Sequence, residues 1–370
     1  MKVALVADWL PVFAGAEHVI EEFCALWPDA PLYTTVARRD HLGPLNRRRI
    51  LTGRLQWPYR LLQNHKLLLP WMPQVLERID LRGYDAVLSS SHAVGKGIIP
   101  PSGAVHVCYC HTPMRYAWEM EQQYLADFRV PKLLRKLVQR KLKELRRWDL
   151  TTAKRVDAFV ANSSATQERI RRIYNRESTV IPPPVNDEFF DHALVPAADR
   201  NAYFLAVGRL VPYKRFDLLI TAANALRFSL KIVGTGSEAS KLKRIAGPTV
   251  EFLGYVPDEE LPPLYAHAKA LLFPQVEDAG VVPLEAQACG TPVIALGEGG
   301  ICDTVIAGKT GIFFAEQTVA AIGDALCAFA ARSFSAETIR SHAQQYSARN
   351  FREQILQMLE KTRRDVRGDH

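Results

Sequence analysis

The sequence predicts an α/β protein of two domains, each a parallel sheet flanked by helices. Three observations predict it. The chain has 370 residues, more than one domain usually holds, so two domains of roughly 180 residues are expected. Short apolar runs alternate with helix-patterned segments throughout, as parallel strands joined by crossover helices require. Three successive prolines in the stretch Ile181 to Val185 fit neither a helix nor a sheet interior. They mark a linker and set the domains at 1–185 and 186–370.

Composition narrows the class. With 48% hydrophobic and 23% charged residues the chain reads as globular, and no apolar run approaches the roughly 18 residues of a spanning helix. The net charge of +8 is uneven: residues 1–185 carry 28 Lys and Arg against 17 acids (+11), and residues 186–370 carry 19 against 22 (−3). A basic first half attracts nucleic acid, anionic lipid or pyrophosphate-linked substrates. The six cysteines lie mostly in apolar segments without metal-type spacing, so reduced thiols and a cytoplasmic location are expected.

In the first domain, residues 2–7 form a strand, and a loop with Gly15 leads to a helix from about Ala16 to Leu26. Gly15 is placed to let a phosphate approach that helix start. A second strand spans 31–36. Residues 38–81 are Arg-rich and Pro-broken, with Trp57, Tyr59 and Trp71 among leucines, and read as a rim of helices and loops that is either a place for an acceptor or a structural excursion. Strand 84–90 hands over to His92, Gly95 and Lys96, on the side where open parallel sheets bind ligands; Lys96 suits either an anionic group or solvent. Strand 104–110 delivers His111, followed by Arg115, Tyr116 and Trp118. Residues 131–148 make a basic amphipathic helix with Trp148 near one end and Arg140 on its polar side. Such a helix fits either an anionic membrane interface or a sheet face. Strand 156–161, a helix capped by Asn162 or Ser163 and strand 179–181 complete the domain.

In the second domain, strand 202–210 ends at Arg209, and Lys214 stands on the loop to the next helix. Two cations beside a helix start oppose its dipole; an anion between them would give both a purpose. Strand 229–236 ends in Gly234 and Gly236, a weak nucleotide signal. Strand 250–256 carries Tyr255 and Val256 at its end. The stretch Phe273 to Leu296 then places Glu277 on a loop and Glu285 eight positions later on a helix, with Pro283 suited to the first turn. Gly280 and Val281 offer close backbone and free N–H groups at that helix start. Strands 292–296 and 311–314 and two helices complete the chain.

The stretch FPQVEDAGVVPLEAQACGTPVIAL, with GEGG and CDTVIAGKTGIFF after it, resembles the E-x7-E motif of the retaining glycosyltransferases of family 4, which have the GT-B fold. FAGAEHVI resembles the family's GGAE loop, with Ala14 in place of the first Gly. VGRLVPYKR looks like its diphosphate-binding motif, and HTPMRYAW resembles a loop of bacterial O-antigen mannosyltransferases. The resemblance implies two Rossmann-like domains facing a cleft, with the last helix crossing back to the first. It implies that Arg209 and Lys214 hold the donor diphosphate, Glu277 and His111 meet the donor sugar, and Glu285 takes the ribose hydroxyls. Gly15, Gly280 and Val281 would approach the diphosphate, and backbone near Tyr255 and Val256 would read the base. It points to GDP-mannose as donor, with no cofactor and no metal, and to a glycan or lipid-pyrophosphate-linked acceptor near Lys96, Arg115, Tyr116 and Arg140. Peripheral attachment to an anionic inner membrane face would follow, with no nucleic-acid partner. A UDP-sugar transferase, a sugar-nucleotide epimerase or hydrolase, and a polyanion-binding protein are the rival readings.

Overall fold

A computed structural model describes residues 1–118 and 132–368. The chain divides into one unit of Met1–Pro182 with Arg352–His370 and a second of Pro183–Phe351.

The first unit is built on seven parallel strands: β1 (Val3–Ala7), β2 (Leu32–Thr34), β3 (Ile50–Thr52), β4 (Ala86–Ser91), β5 (Val105–Cys110), β6 (Ala158–Ala161) and β7 (Ser178–Val180). Their spatial order is β3-β2-β1-β4-β5-β6-β7, so the winding reverses between β1 and β4, the crevice where open sheets take ligands. Every residue of β1, β4 and β5 is buried, which is why these strands read as continuous runs rather than alternating ones. β3 lies inside the stretch expected to hold only helices and loops. The C-terminal segment groups with this unit, where Arg352 meets Glu22 at 2.6 Å.

The second unit has six parallel strands: β8 (Tyr203–Val207), β9 (Ser229–Val233), β10 (Val250–Gly254), β11 (Leu271–Phe273), β12 (Val293–Leu296) and β13 (Gly311–Phe314). The order is β10-β9-β8-β11-β12-β13, reversing between β8 and β11. Successive side chains go to opposite cores: Leu205, Leu271, Val293 and Ala295 face one, while Ala206, Leu272, Ile294 and Leu296 face the other. Burial on both faces fixes register, because a one-residue slip would exchange the two sets. Only one residue pair, Leu271 with Leu205, joins β11 to β8.

Candidate active site

In the second unit the loops leaving the switch point carry the predicted cations and carboxylates. Arg209 follows β8 and is exposed, with no side-chain partner among the described residues. Lys214 closes a single helical turn, Pro212–Lys214, before the helix Phe216–Leu226. Its Nζ lies 2.5 Å from Glu277 Oε1 on the loop after β11, and their side chains are 10% and 19% exposed. Gln275 Nε2 donates to the same Glu277 oxygen at 3.4 Å. The Glu277 backbone rests on the GEGG stretch: it bridges Gly299, and Gly300 N–H donates to its carbonyl at 3.0 Å. A Cβ on Gly299 would lie 2.5 Å from that carbonyl oxygen, so glycine is needed for the loop to sit where it does.

Glu285 rides the helix Val281–Ala288, whose N-cap Gly280 has φ +73°, a left-handed conformation that suits glycine. Burial pushes the Glu285 carboxyl from 4.5 to about 7, although Tyr265 Oη donates to it at 2.8 Å. Tyr265 is fully buried and was missed in sequence, where it is one apolar residue of a Pro-rich helix start. Val256 packs on the core and Tyr255 is exposed. Gly234 and Gly236 have a packing reason: Cβ atoms there would collide with the Gly208 and Leu210 carbonyls.

The first unit holds its own cluster at the matching strand ends. Asp8, directly after β1, accepts from Ser91 Oγ (2.9 Å), His92 N–H (2.6 Å), Ala93 N–H (3.1 Å) and Gly95 N–H, and its Oδ2 lies 3.0 Å from His92 Nδ1. Burial alone would raise the Asp8 carboxyl, but His92 and these N–H groups hold it at about 2. Burial works against a charged His92, and the adjacent carboxylate outweighs it, lifting the imidazole above its ordinary value. His111 follows β5, with Nε2 2.8 Å from Ser90 Oγ. Burial depresses it to about 3, so it is neutral and offers hydrogen bonds rather than a proton. Asp8 was readable only as an acid at a strand end; the five groups it gathers lie 83 or more positions away. Gly15 is the first residue of its helix, and a Cβ there would meet nothing within 4 Å. Local packing therefore gives no reason for glycine.

The acceptor-side candidates separate. Lys96 is a correction: it is 2% exposed, its Nζ lies 2.6 Å from Asp149 Oδ1 and 3.1 Å from Thr152 Oγ1, and Trp148 and Tyr174 cover it. It cannot meet an acceptor or a lipid. The helix Lys132–Thr152 buries Leu142 and Leu145, while Val138 is half-buried and Leu150 exposed. Trp148 packs on the core and donates to Glu77 Oε1 at 2.9 Å, so this tryptophan is no membrane anchor. Arg140 is exposed, 3.5 Å from Glu144. Arg115 opens the short helix Arg115–Trp118, and the Tyr116 side chain lies outside the described residues.

Two doubly wound sheets, each with a switch point, and cations on the loops that leave the second one, are the features to set beside known proteins. The comparisons give the family. A model of Glycosyltransferase Family 4 matches residues 13–189, and one of Glycosyl transferases group 1 matches 187–362. The chain belongs to family 4 of the glycosyltransferases and has their GT-B fold. The GDP-mannose-dependent alpha-(1-6)-phosphatidylinositol monomannoside mannosyltransferase of Mycolicibacterium smegmatis is 36% identical over 40% of this chain and 46% of its own. The D-inositol 3-phosphate glycosyltransferase of Kribbella flavida is 30% identical over 52% of each. The match thus spans about half the length of these curated relatives. Among solved structures, Anabaena HepE in complex with UDP-glucose superposes with a TM-score of 0.70 at 18% identity, covering 98% of this chain and 100% of that one. At that identity the likeness is one of fold.

Proposed function

We propose that this glycosyltransferase moves mannose from GDP-mannose, with retention of configuration, onto a glycan or lipid-linked glycan in the synthesis of a bacterial surface polysaccharide. The observation that carries the reading is the Lys214–Glu277 pair at 2.5 Å, with Arg209, five positions before Lys214, exposed and without a side-chain partner among the described residues, at the switch point of the second sheet. The donor diphosphate enters there and draws the Lys214 ammonium from Glu277, which is then free to accept from the sugar hydroxyls. As the bond from the anomeric carbon to the phosphate oxygen breaks, negative charge grows on the leaving phosphate, and Lys214, Arg209 and the N–H groups at Val281 stabilise it. The acceptor oxygen bonds to the same face of the anomeric carbon, and its proton passes to a leaving phosphate oxygen. These cations supply the positive charge, so the proposed reaction uses neither metal nor cofactor. Glu285 accepts the ribose hydroxyls. The reading of the base as guanine rests on the loop resemblance at His111 and on the GDP-mannose dependence of the Mycolicibacterium smegmatis relative.

The test is turnover with GDP-mannose, UDP-glucose and UDP-N-acetylglucosamine against lipid-linked glycan acceptors. Transfer from GDP-mannose alone, giving an α-linked product and abolished in Glu277→Ala, is the expected result. Preference for a UDP-sugar overturns the donor assignment, and consumption of donor without acceptor favours an epimerase or hydrolase.

A further inference from the structure

The membrane surface predicted from the helix at 131–148 has a better seat in the same unit, in the stretch whose role the sequence left open. Five of the fifteen exposed large apolar side chains among the described residues fall within residues 57–71: Trp57, Leu61, Leu62, Leu67 and Trp71. Scattered exposed leucines need no explanation, but a concentration of this kind does.

The exposure is built rather than incidental. The helix Gln56–Leu62 is fastened to the sheet by the Gln56 amide, which exchanges two 2.8 Å hydrogen bonds with the Ala37 backbone, and by Tyr59, 3% exposed. Trp57 and Leu61, four residues apart on one helix face, are turned out at 71% and 69%. The following turn His65–Trp71 repeats the arrangement. Leu68, Leu69 and the adjoining Met72 are buried, while Leu67 and Trp71 face outward. Trp71 also lines, with Arg54, Leu55, Arg78 and Asp80, a surface cavity of about 510 Å³; Asp80 is paired with Arg82 at 2.5 Å, so apolar groups and cations it does not neutralise share one face.

Charge selects the partner. Residues 45–79 carry seven Lys or Arg against one acid, Glu77. That acid is turned away, 2.7 Å from Arg155 and bonded to Trp148. Arg54, Arg60, Lys66 and Arg78 are exposed and make no ion pair among the described residues. Indole rings and leucines flanked by unneutralised cations match a surface that is apolar beneath and negative above, the headgroup boundary of an anionic bilayer.

We propose that residues 54–78 form the membrane-docking face of this protein, with Trp57, Leu61 and Trp71 entering the interface of an anionic bilayer and Arg54, Arg60, Lys66 and Arg78 meeting its phosphates. This surface does not depend on the identity of the donor, and its test reads binding rather than turnover.

The full chain is sedimented with vesicles of phosphatidylcholine alone or with roughly a third phosphatidylglycerol, using wild type, a Trp57→Ser/Leu61→Ser/Trp71→Ser variant and an Arg60→Glu/Lys66→Glu variant. The expected result is binding of wild type to the anionic vesicles, at least about tenfold weaker on neutral ones, with a loss of roughly tenfold or more in each variant. A Lys136→Glu/Arg140→Glu control should bind within about twofold of wild type. All substituted side chains are exposed, and unchanged thermal unfolding confirms that each variant is folded. Three results would overturn the proposal: no vesicle binding by wild type, undiminished binding by both patch variants, or the larger loss in the Lys136/Arg140 control. Binding removed by soluble heparin while Trp57, Leu61 and Trp71 make no difference would identify a polyanion surface and overturn it equally.

Discussion

Two lysines, one in each unit, make nearly the same contact in opposite surroundings. Lys96 lies 2.6 Å from Asp149 and Lys214 lies 2.5 Å from Glu277. The first pair is sealed: both side chains are at most 2% exposed, and Lys96 has a hydroxyl, a carbonyl and two aromatic faces around it. The second pair is only partly covered, and Arg209, five positions before Lys214, is exposed with no side-chain partner among the described residues. A buried pair with every valence taken belongs to the fold. A partly covered pair leaves its lysine open to a competing anion, which is what the proposed function asks of Lys214.

The largest expected effect breaks the first pair. Lys96→Met should cost about 3–5 kcal/mol, because it leaves the Asp149 charge buried and uncompensated; denaturant unfolding measures it, and a change below about 1 kcal/mol would place Lys96 nearer solvent than described. Asp8→Asn should follow closely, at about 2–4 kcal/mol, since the amide cannot accept from all the donors gathered there. The sign with pH is set by the depressed carboxyl. Asp8 contributes its stabilisation above its ordinary value of 3.8 and loses it as pH falls toward about 2.

Lys214→Ala should behave the other way round. Turnover should fall about 100- to 1000-fold while stability changes by no more than about 2 kcal/mol. Equal losses in both quantities would make it a second Lys96.

The smallest effect concerns Glu285. Its carboxyl is raised from 4.5 to about 7, so between these values the folded protein holds a proton that the unfolded chain has released. Stability should therefore fall as pH rises through this window, and Glu285→Gln should flatten the slope. Donor affinity should move oppositely, tightening as the carboxylate forms, because ribose hydroxyls donate to it; calorimetry at pH 6 and at pH 8 would check this.

The comparison also explains what could be read in advance. The strands were legible because burial on both faces makes continuous apolar runs, and the Arg209, Lys214, Glu277 and Glu285 positions followed from strand ends and a helix start. Lys96 was not, since its burial is decided by Asp149, 53 positions later on a helix whose stripe was equally consistent with a bilayer. Residues 38–81 were opaque for a different reason. The three-residue β3 and single turns such as Gly43–Arg47 are too short to show a period, and the outward leucines and tryptophans of 57–71 imitate a core pattern. Tyr265 and Asp8 act through partners remote in sequence, which spacing cannot reveal.

The central claim is that the Lys214 site receives the diphosphate of the donor. Calorimetric titration of GDP-mannose and GDP into wild type and Lys214→Ala, with UDP-glucose and UDP as comparators, tests it directly. The account predicts that GDP-mannose and GDP bind wild type selectively and both weaken at least about tenfold in the variant, a change of about 1.4 kcal/mol. Affinity for both ligands unchanged in a folded Lys214→Ala protein would contradict it.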